Sequence, residues 1–250
     1  MTSSKALSFD QHFLIDKQAI ITMVEHAHLD ATDVVLEVGP GKGDITKHIA
    51  QQVKKVYAIE IDKSFKPYLD ALPDNVEVIY DNILNRIEHI ACNKLVANIP
   101  FSISEPLLKK IIKTNIARVV LLTGNNFFTI LSDKEKKLGK IISLFFDVRK
   151  KMELKKEMFA PKPRVLSALI VLEKRTKPLT AQEQLLKELA LQDDKKIKNG
   201  LLYGLMRRNH YTKNESRAFI AKLNIPDSLL EKNINSLSNR QFKLLCDSLL

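Results

Sequence analysis

The stretch VVLEVGPGKG, residues 34–43, decides the fold. Val34-Val35-Leu36-Glu37-Val38 is a nearly continuous apolar run of strand length and reads as a buried parallel strand. Three glycines follow at alternate positions, Gly39, Gly41 and Gly43. Asp44 then stands where it can cap a helix over ITKHIAQQV. A strand, a glycine turn and a helix N-terminus together let backbone approach a ligand closely, because glycine tolerates left-handed φ and carries no Cβ. The spacing is G-x-G-x-G, not the G-x-G-x-x-G of dinucleotide sites. It leans towards S-adenosylmethionine and away from NAD, although alone it also suits an ordinary βα turn.

The chain on either side supports an alternating sheet. VYAIEID (56–62) reads as a second strand, and Glu60 near its end stands where an acid in a doubly wound sheet reaches ribose hydroxyls. A carboxylate accepts two hydrogen bonds from a 2′,3′-diol; the plain alternative is a solvated acid at a strand end. VEVIY (76–80) reads as a third strand, ended by Asp81-Asn82. Either residue could accept from the amino group of a cofactor adenine, or the pair could be a polar turn. A fourth strand, NKLVANIPF, ends in Asn98-Ile99-Pro100-Phe101. Asn-x-Pro makes a good chain reversal, and it also suits methyl transfer to an adenine amine. That nitrogen is a poor nucleophile because its lone pair is delocalised into the ring. The amide oxygen of Asn98 and a carbonyl at Ile99 or Pro100 could accept its two hydrogens, with Pro100 fixing the carbonyl direction. Phe101 would stack on the flipped base.

Composition limits the alternatives. The 250 residues suffice for one sizeable core and a small second domain, and 45% are hydrophobic. No stretch is a membrane span and MTSSKALSFDQHF lacks the core of a signal peptide, so a cytoplasmic protein is expected. Cys92 and Cys246 are far apart and read as reduced thiols, with no metal site. The formal net charge is +11, spread over both halves, which points to a polyanionic partner. Arg149, Lys150 and Lys151 cluster beside the loop MFAPKPRVLS, within a strand expected around 147–155. Helices are expected at 17–28, 63–71, 105–115 and 139–146, and strands at 117–123 and 168–174. From about 176 helical patterns take over, at 181–192, 195–206, 213–222 and 238–249, with Lys195, Lys196, Arg207 and Arg208 making a basic face. The domains are therefore drawn as 1–175 and 176–250.

These pieces together resemble the ribosomal RNA adenine-N6 dimethyltransferases, both the KsgA-type ribosome-maturation enzymes and the Erm macrolide-resistance enzymes. The residues that carry the likeness are QHFLID (11–16), LEVGPGKGDIT (36–46), AIEID (58–62), NIPFSIS (98–104) and FAPKPRVLSALIVL (159–172). The resemblance implies an α/β, Rossmann-like methyltransferase fold with a seven-stranded, mostly parallel sheet, an antiparallel edge hairpin and a small all-α C-terminal domain for RNA recognition. It implies that His12 and Leu14 close over S-adenosylmethionine, that Gly39 faces its methionine part and Glu60 its ribose, and that Gly41 also belongs to the cofactor site. Asp81, favoured over Asn82, would meet the cofactor adenine. Asn98 would sit at the junction of the cofactor methyl group and the target amine, contacting both, with Pro100 and Phe101 beside it in the catalytic set, and Phe101 and Phe159 would sandwich the target base. Ala97 stands where the family usually has Gly, and Phe101 where it usually has Tyr. LLTGNNFFTILSDKEKK (121–137) lacks the usual Gln-Lys-Glu segment. The C-terminal layout leans to the KsgA role, dimethylation of adjacent adenines near the 3′ end of small-subunit rRNA by a monomeric enzyme acting on rRNA or an assembling subunit. The alternatives are an Erm-type large-subunit enzyme and a non-catalytic RNA-binding factor on the same fold; a dinucleotide-dependent oxidoreductase fits the glycine spacing poorly.

Overall fold

The computed structural model describes residues 12–249, apart from the side chain of Phe101. Its strands are β1 (Phe13–Leu14), β2 (Val34–Val38), β3 (Lys55–Glu60), β4 (Val76–Tyr80), β5 (Lys94–Asn98), β6 (Arg118–Gly124), β7 (Phe146–Leu154), β8 (Phe159–Ala160) and β9 (Ser167–Lys174). The helices are α1 (Lys17–Glu25), α2 (Asp44–Ala50), α3 (Lys66–Leu69), α4 (Ile83–Arg86), α5 (Ser104–Ile111), α6 (Asn125–Ser132) and α7 (Lys137–Ser143). They continue with α8 (Ala181–Leu191), α9 (Ile197–Asn209), α10 (Lys213–Lys222), α11 (Asp227–Leu230) and α12 (Asn239–Ser248).

Seven strands form one sheet in the order β4-β3-β2-β5-β6-β9-β7. β2 pairs in parallel with β3 and β5, β3 with β4, and β5 with β6. β9 inserts antiparallel to β6, and β7 takes the edge. The apolar runs explain the central strands: Val35, Leu36, Val56, Ala58, Leu95 and Val96 are all buried, as a sheet covered on both faces requires. Because β2 hands the chain to β3 on one side and lies against β5 on the other, the strand order reverses there. A crevice opens at such a switch point, beyond the carboxyl ends of the strands.

The chain divides into two compact units, one running up to Thr129 together with Val148–Lys174, the other Ile130–Asp147 with Arg175–Leu250. The segment 130–147, drawn in the first domain from sequence, thus falls in the second unit. There α7 packs on α8 and α12, and α9 on α8 and α10. The helical starts in this unit follow sequence chemistry: Thr180, Thr212 and Ser238 each form a reciprocal capping box with Glu183, Glu215 and Gln241.

Two local expectations change. Asp44 does not cap α2; Gly43, at φ +80°, is the N-cap and Asp44 is the first helical residue. The left-handed glycine turns the chain one residue earlier, and Asp44 then meets the positive end of the helix dipole. The second change is the short helix α6, which the sequence reading left out.

Glu37 of β2 is wholly buried, and its Oε2 has no hydrogen-bond partner among the described residues. Burial, with Glu60 and Asp44 adding repulsion, pushes its carboxyl up from 4.5 to about 8, against a smaller opposing pull from Thr46. The folded chain therefore holds a proton that the unfolded chain releases above about 4.5, so this contribution to stability is lost as pH rises towards 8. Glu37→Gln should remove that loss, on the order of a few kcal/mol in full. Melting curves should nearly coincide at acidic pH and separate in favour of the variant at alkaline pH. Curves that stay parallel would show that Glu37 is not a buried neutral acid.

Candidate active site

The loops after β2, β3, β4 and β5 surround a cavity of about 340 Å3. The glycine turn makes its floor. Gly39, Gly41 and Gly43 all have positive φ, at +69°, +55° and +80°, a conformation that L side chains rarely adopt. A Cβ on Gly39 would find only the Asn98 carbonyl oxygen nearby, at 3.9 Å, so this part of the floor is open to a ligand. A Cβ on Gly41 would strike Phe13 Cε1 at 2.8 Å. Glycine there lets Phe13 lie on the turn, edge-on to Phe65 with ring centroids 5.5 Å apart.

Glu60 stands at the end of β3, only 3% exposed. The Gly41 N–H donates to its Oε2 (3.1 Å) and the Asp62 N–H to its Oε1 (2.9 Å). Burial pushes the carboxyl up, while these amides and that of Ile61 pull it back. The carboxylate is thus fixed in direction and keeps acceptor capacity towards the cavity that it lines. Ile61 lines the same wall although it is 50% exposed, offering an apolar surface beside the acid.

Asp81 and Asn82 both line the cavity after β4. Asp81 accepts from the Arg86 Nε–H and the Asn82 N–H, both at 2.6 Å, and Arg86 holds its carboxyl below the usual range. Asn82 Oδ1 caps α4 by accepting from the Leu84 N–H at 2.9 Å.

Asn98 is held by a partner far away in sequence. Its Nδ2 donates to the His12 carbonyl at 2.8 Å. With the donor end engaged there, the acceptor Oδ1 is the end left for the cavity. His12 is itself tied down, its Nδ1 donating to the Pro161 carbonyl at 2.9 Å. β1 pairs antiparallel with β8, with Phe13 opposite Ala160 and Leu14 opposite Phe159. Behind the loop, the Ile99 N–H donates to Leu122 O (3.3 Å) and the Ile103 N–H to Pro100 O (3.1 Å). The buried hydroxyls of Ser104 and Thr123, 3.1 Å apart, pin the start of α5 to β6.

The structure therefore brings His12, Gly39, Glu60, Asp81, Asn82, Asn98, Pro100 and Phe159 to one cavity. The side chain of Leu14 is buried in the core cluster and is not among the residues lining the cavity, so any part Leu14 takes in holding a cofactor falls to its backbone. Side chains alternate along a strand, so Phe13 turns to the cavity and Leu14 away from it. Gly41 likewise lies beneath Phe13 and acts through its N–H to Glu60. The expectation for the Phe101 ring lies outside the described residues. Phe13, Ile61 and Ser167 line the cavity and were not singled out from sequence. Ile61, an apolar residue directly after the acid, was the available signal; a two-residue strand such as β1 has no period to read.

Neither cysteine is poised for chemistry. Burial pushes the Cys92 thiol up to about 12 and the Cys246 thiol up to about 11. Among the described residues no helix is long and apolar enough to cross a membrane. The basic residues are partly engaged. Arg149 pairs with Glu173 at 3.4 Å, Lys150 reaches Asn125 Oδ1 at 3.3 Å, and Lys151 is exposed on the same strand. In the helical unit Lys196 and Lys198 both pair with Glu231, whose carboxyl they hold down at about 2. Lys195 lies over the Tyr203 ring at 4.9 Å, Arg207 meets Glu188 at 3.7 Å, and Arg208 is exposed.

The family model described as "Ribosomal RNA adenine dimethylase" matches residues 2–241. A protein of Methanococcus maripaludis strain C6, named "Probable ribosomal RNA small subunit methyltransferase A", is 32% identical over 216 residues, covering 81% of each chain. A protein of the same name from Pyrococcus abyssi is 34% identical over 186 residues, covering 72% of this chain and 69% of its own. Among solved structures, a dimethyladenosine transferase from Plasmodium falciparum superposes with a TM-score of 0.63 at 22% identity, covering 94% of this chain and 96% of its own. The 23S rRNA methyltransferase ErmE gives 0.62 at 22% identity, over 95% and 99%. At that identity the two structures speak for the fold alone.

Proposed function

The chain belongs to the ribosomal RNA adenine dimethylase family, and from that premise we propose that it is an S-adenosylmethionine-dependent methyltransferase of small-subunit ribosomal RNA, dimethylating N6 of adjacent adenines near the 3′ end. The observation that carries the reading is the orientation of Asn98. Its Nδ2 donates to the His12 carbonyl, which leaves Oδ1 to accept a hydrogen of the target amine. The Pro100 carbonyl already accepts from the Ile103 N–H, so we assign the second hydrogen to the Ile99 carbonyl. Holding both hydrogens in this way draws the nitrogen lone pair out of conjugation with the ring. Phe159 offers one stacking face for the target base, and Phe101 is proposed to offer the other.

The cavity fits the donor. Gly39 leaves a floor that a Cβ would fill, and Glu60 presents a buried, oriented carboxylate to a ribose diol. Ile61 offers an apolar face to an adenine ring, and Asp81 an acceptor to its amino group. When bound, S-adenosylmethionine supplies a methyl group already activated by its sulfonium. The chain's own residues need only bind, orient and hold the amine hydrogens.

The small-subunit target is favoured over the large-subunit one by the names of the relatives above 30% identity. The partner proposed is small-subunit rRNA in an assembling subunit, met by a monomeric, cytoplasmic enzyme. The test offers labelled S-adenosylmethionine with two substrates in parallel, small subunits lacking the modification and protein-free large-subunit rRNA. Label near the small-subunit 3′ end is expected. Label in the large-subunit rRNA alone would replace this reading with the Erm-type one.

A further inference from the structure

We propose that Val165 and Leu166 are a wedge that enters the substrate's base stack as the target adenine leaves it. This rests on the reading of the cavity as an adenine methyltransferase site. Residues 161–166 form the loop between β8 and β9, and the strand residues on either side of it, Phe159 and Ser167, line the cavity. The loop is therefore part of the cavity's lip. Val165 and Leu166 are adjacent on it and exposed, at 39% and 40%, while Pro163 of the same loop is buried.

The exposure does not come from a slack loop. Three of its carbonyls are held from outside: Pro161 O by His12 Nδ1 (2.9 Å), Arg164 O by Lys156 Nζ, and Leu166 O by the Asn125 N–H (2.9 Å). Asn125 is braced in turn by Lys150, whose ammonium also lies 5.5 Å from the centre of the Phe128 ring. Two adjacent aliphatic residues are thus carried on a braced backbone beside the cavity, each with about two fifths of its surface left exposed in the folded chain.

The chemistry of the site names what covers them. An adenine cannot bring its N6 to Asn98 while it is stacked between neighbours, so it must leave the stack. The gap it leaves is lined by the apolar faces of the adjoining bases. Inserted aliphatic side chains fill such gaps in other nucleic-acid complexes. The flanks match as well: Arg164 is exposed on the same loop with Lys156 beside it, and Lys162, exposed and in a loose 3.7 Å pair with Glu157, adds a third charge suited to the phosphates on either side of a displaced nucleotide. A protein partner would have to cover a lip that the substrate itself needs.

The test compares the full chain with a Val165→Ser/Leu166→Ser variant in single-turnover methylation of reconstituted small subunits. The 3′-terminal rRNA segment is supplied as a synthetic oligonucleotide in two forms. One is natural; the other has an abasic site next to the target, so that little stacking remains to be broken. The variant should be about 10- to 100-fold slower than wild type on the natural RNA and nearly equal to it on the abasic RNA. Its melting temperature and S-adenosylmethionine affinity should be unchanged; if they are not, Val165→Ala/Leu166→Ala takes its place with the same expectation in smaller measure. Equal losses on both RNAs, or no loss on either, would overturn the wedge. A wild-type chain that labels neither RNA would instead overturn the methyltransferase reading, and the wedge with it.

Discussion

Asn98→Ala should reduce methyl transfer by about 10²–10³-fold, the scale seen when a single preorganised polar group is removed from a reacting centre. S-adenosylmethionine affinity should change little, because the Gly39 N–H is held by the Ile59 carbonyl and the Glu60 carboxylate by the Gly41 and Asp62 N–H groups, none of them through Asn98. The substitution removes the oxygen that accepts from the target amine and the donor that ties β5 to His12. Asn98→Asp separates these two roles. It keeps an acceptor for the amine but sets a carboxylate oxygen against the His12 carbonyl, so it should also loosen the N-terminal strand. A variant that turns over at the wild-type rate would remove Asn98 from the reaction.

Glu60→Gln should weaken S-adenosylmethionine binding by about 10- to 100-fold, through loss of charge-assisted acceptance from the ribose. Both Glu60 oxygens accept from backbone N–H groups, at 3.1 and 2.9 Å. An amide must turn its NH2 group towards one of those donors, leaving two hydrogens opposed inside a buried site. The unliganded chain should therefore also lose on the order of 1–3 kcal/mol of stability. Equilibrium binding and thermal melting read the two effects separately. Wild-type affinity in this variant would move the ribose away from Glu60.

Much of this arrangement was legible because each element answers to local chemistry. The apolar runs at 34–38 and 168–172 are almost wholly buried, so their strand character needs no knowledge of the partner strands, whereas 76–80, at the edge of the sheet, is half-buried and is legible from its β-branched and aromatic residues. Gly39, Glu60, Asp81 and Asn98 fall at strand ends, which a doubly wound sheet gathers at one edge. What escaped was long-range. The β1–β8 pair is two residues long on each strand and joins positions nearly 150 apart, as His12 and Pro161 are. No periodicity shows over two residues, so nothing local marks Phe13 as a residue that lines the cavity. The helix α6 lies in NNFFTILS, where paired Asn and Phe give weak helical propensity and tertiary packing decides. Gly43 as the cap of α2 was hidden for another reason: Asp44 has the commoner cap chemistry, but the left-handed turn places it one residue too late.

The most direct test of the central claim is the identity of the product. Small subunits lacking the modification would be incubated with the chain and methyl-labelled S-adenosylmethionine, and their rRNA digested to nucleosides for mass spectrometry. The account predicts that the label is recovered as N6-methylated adenosine, reaching the dimethyl form on extended incubation, and that Asn98→Ala slows its appearance by about 10²–10³-fold. Label on any other nucleoside, or on a different atom of adenosine, would contradict it.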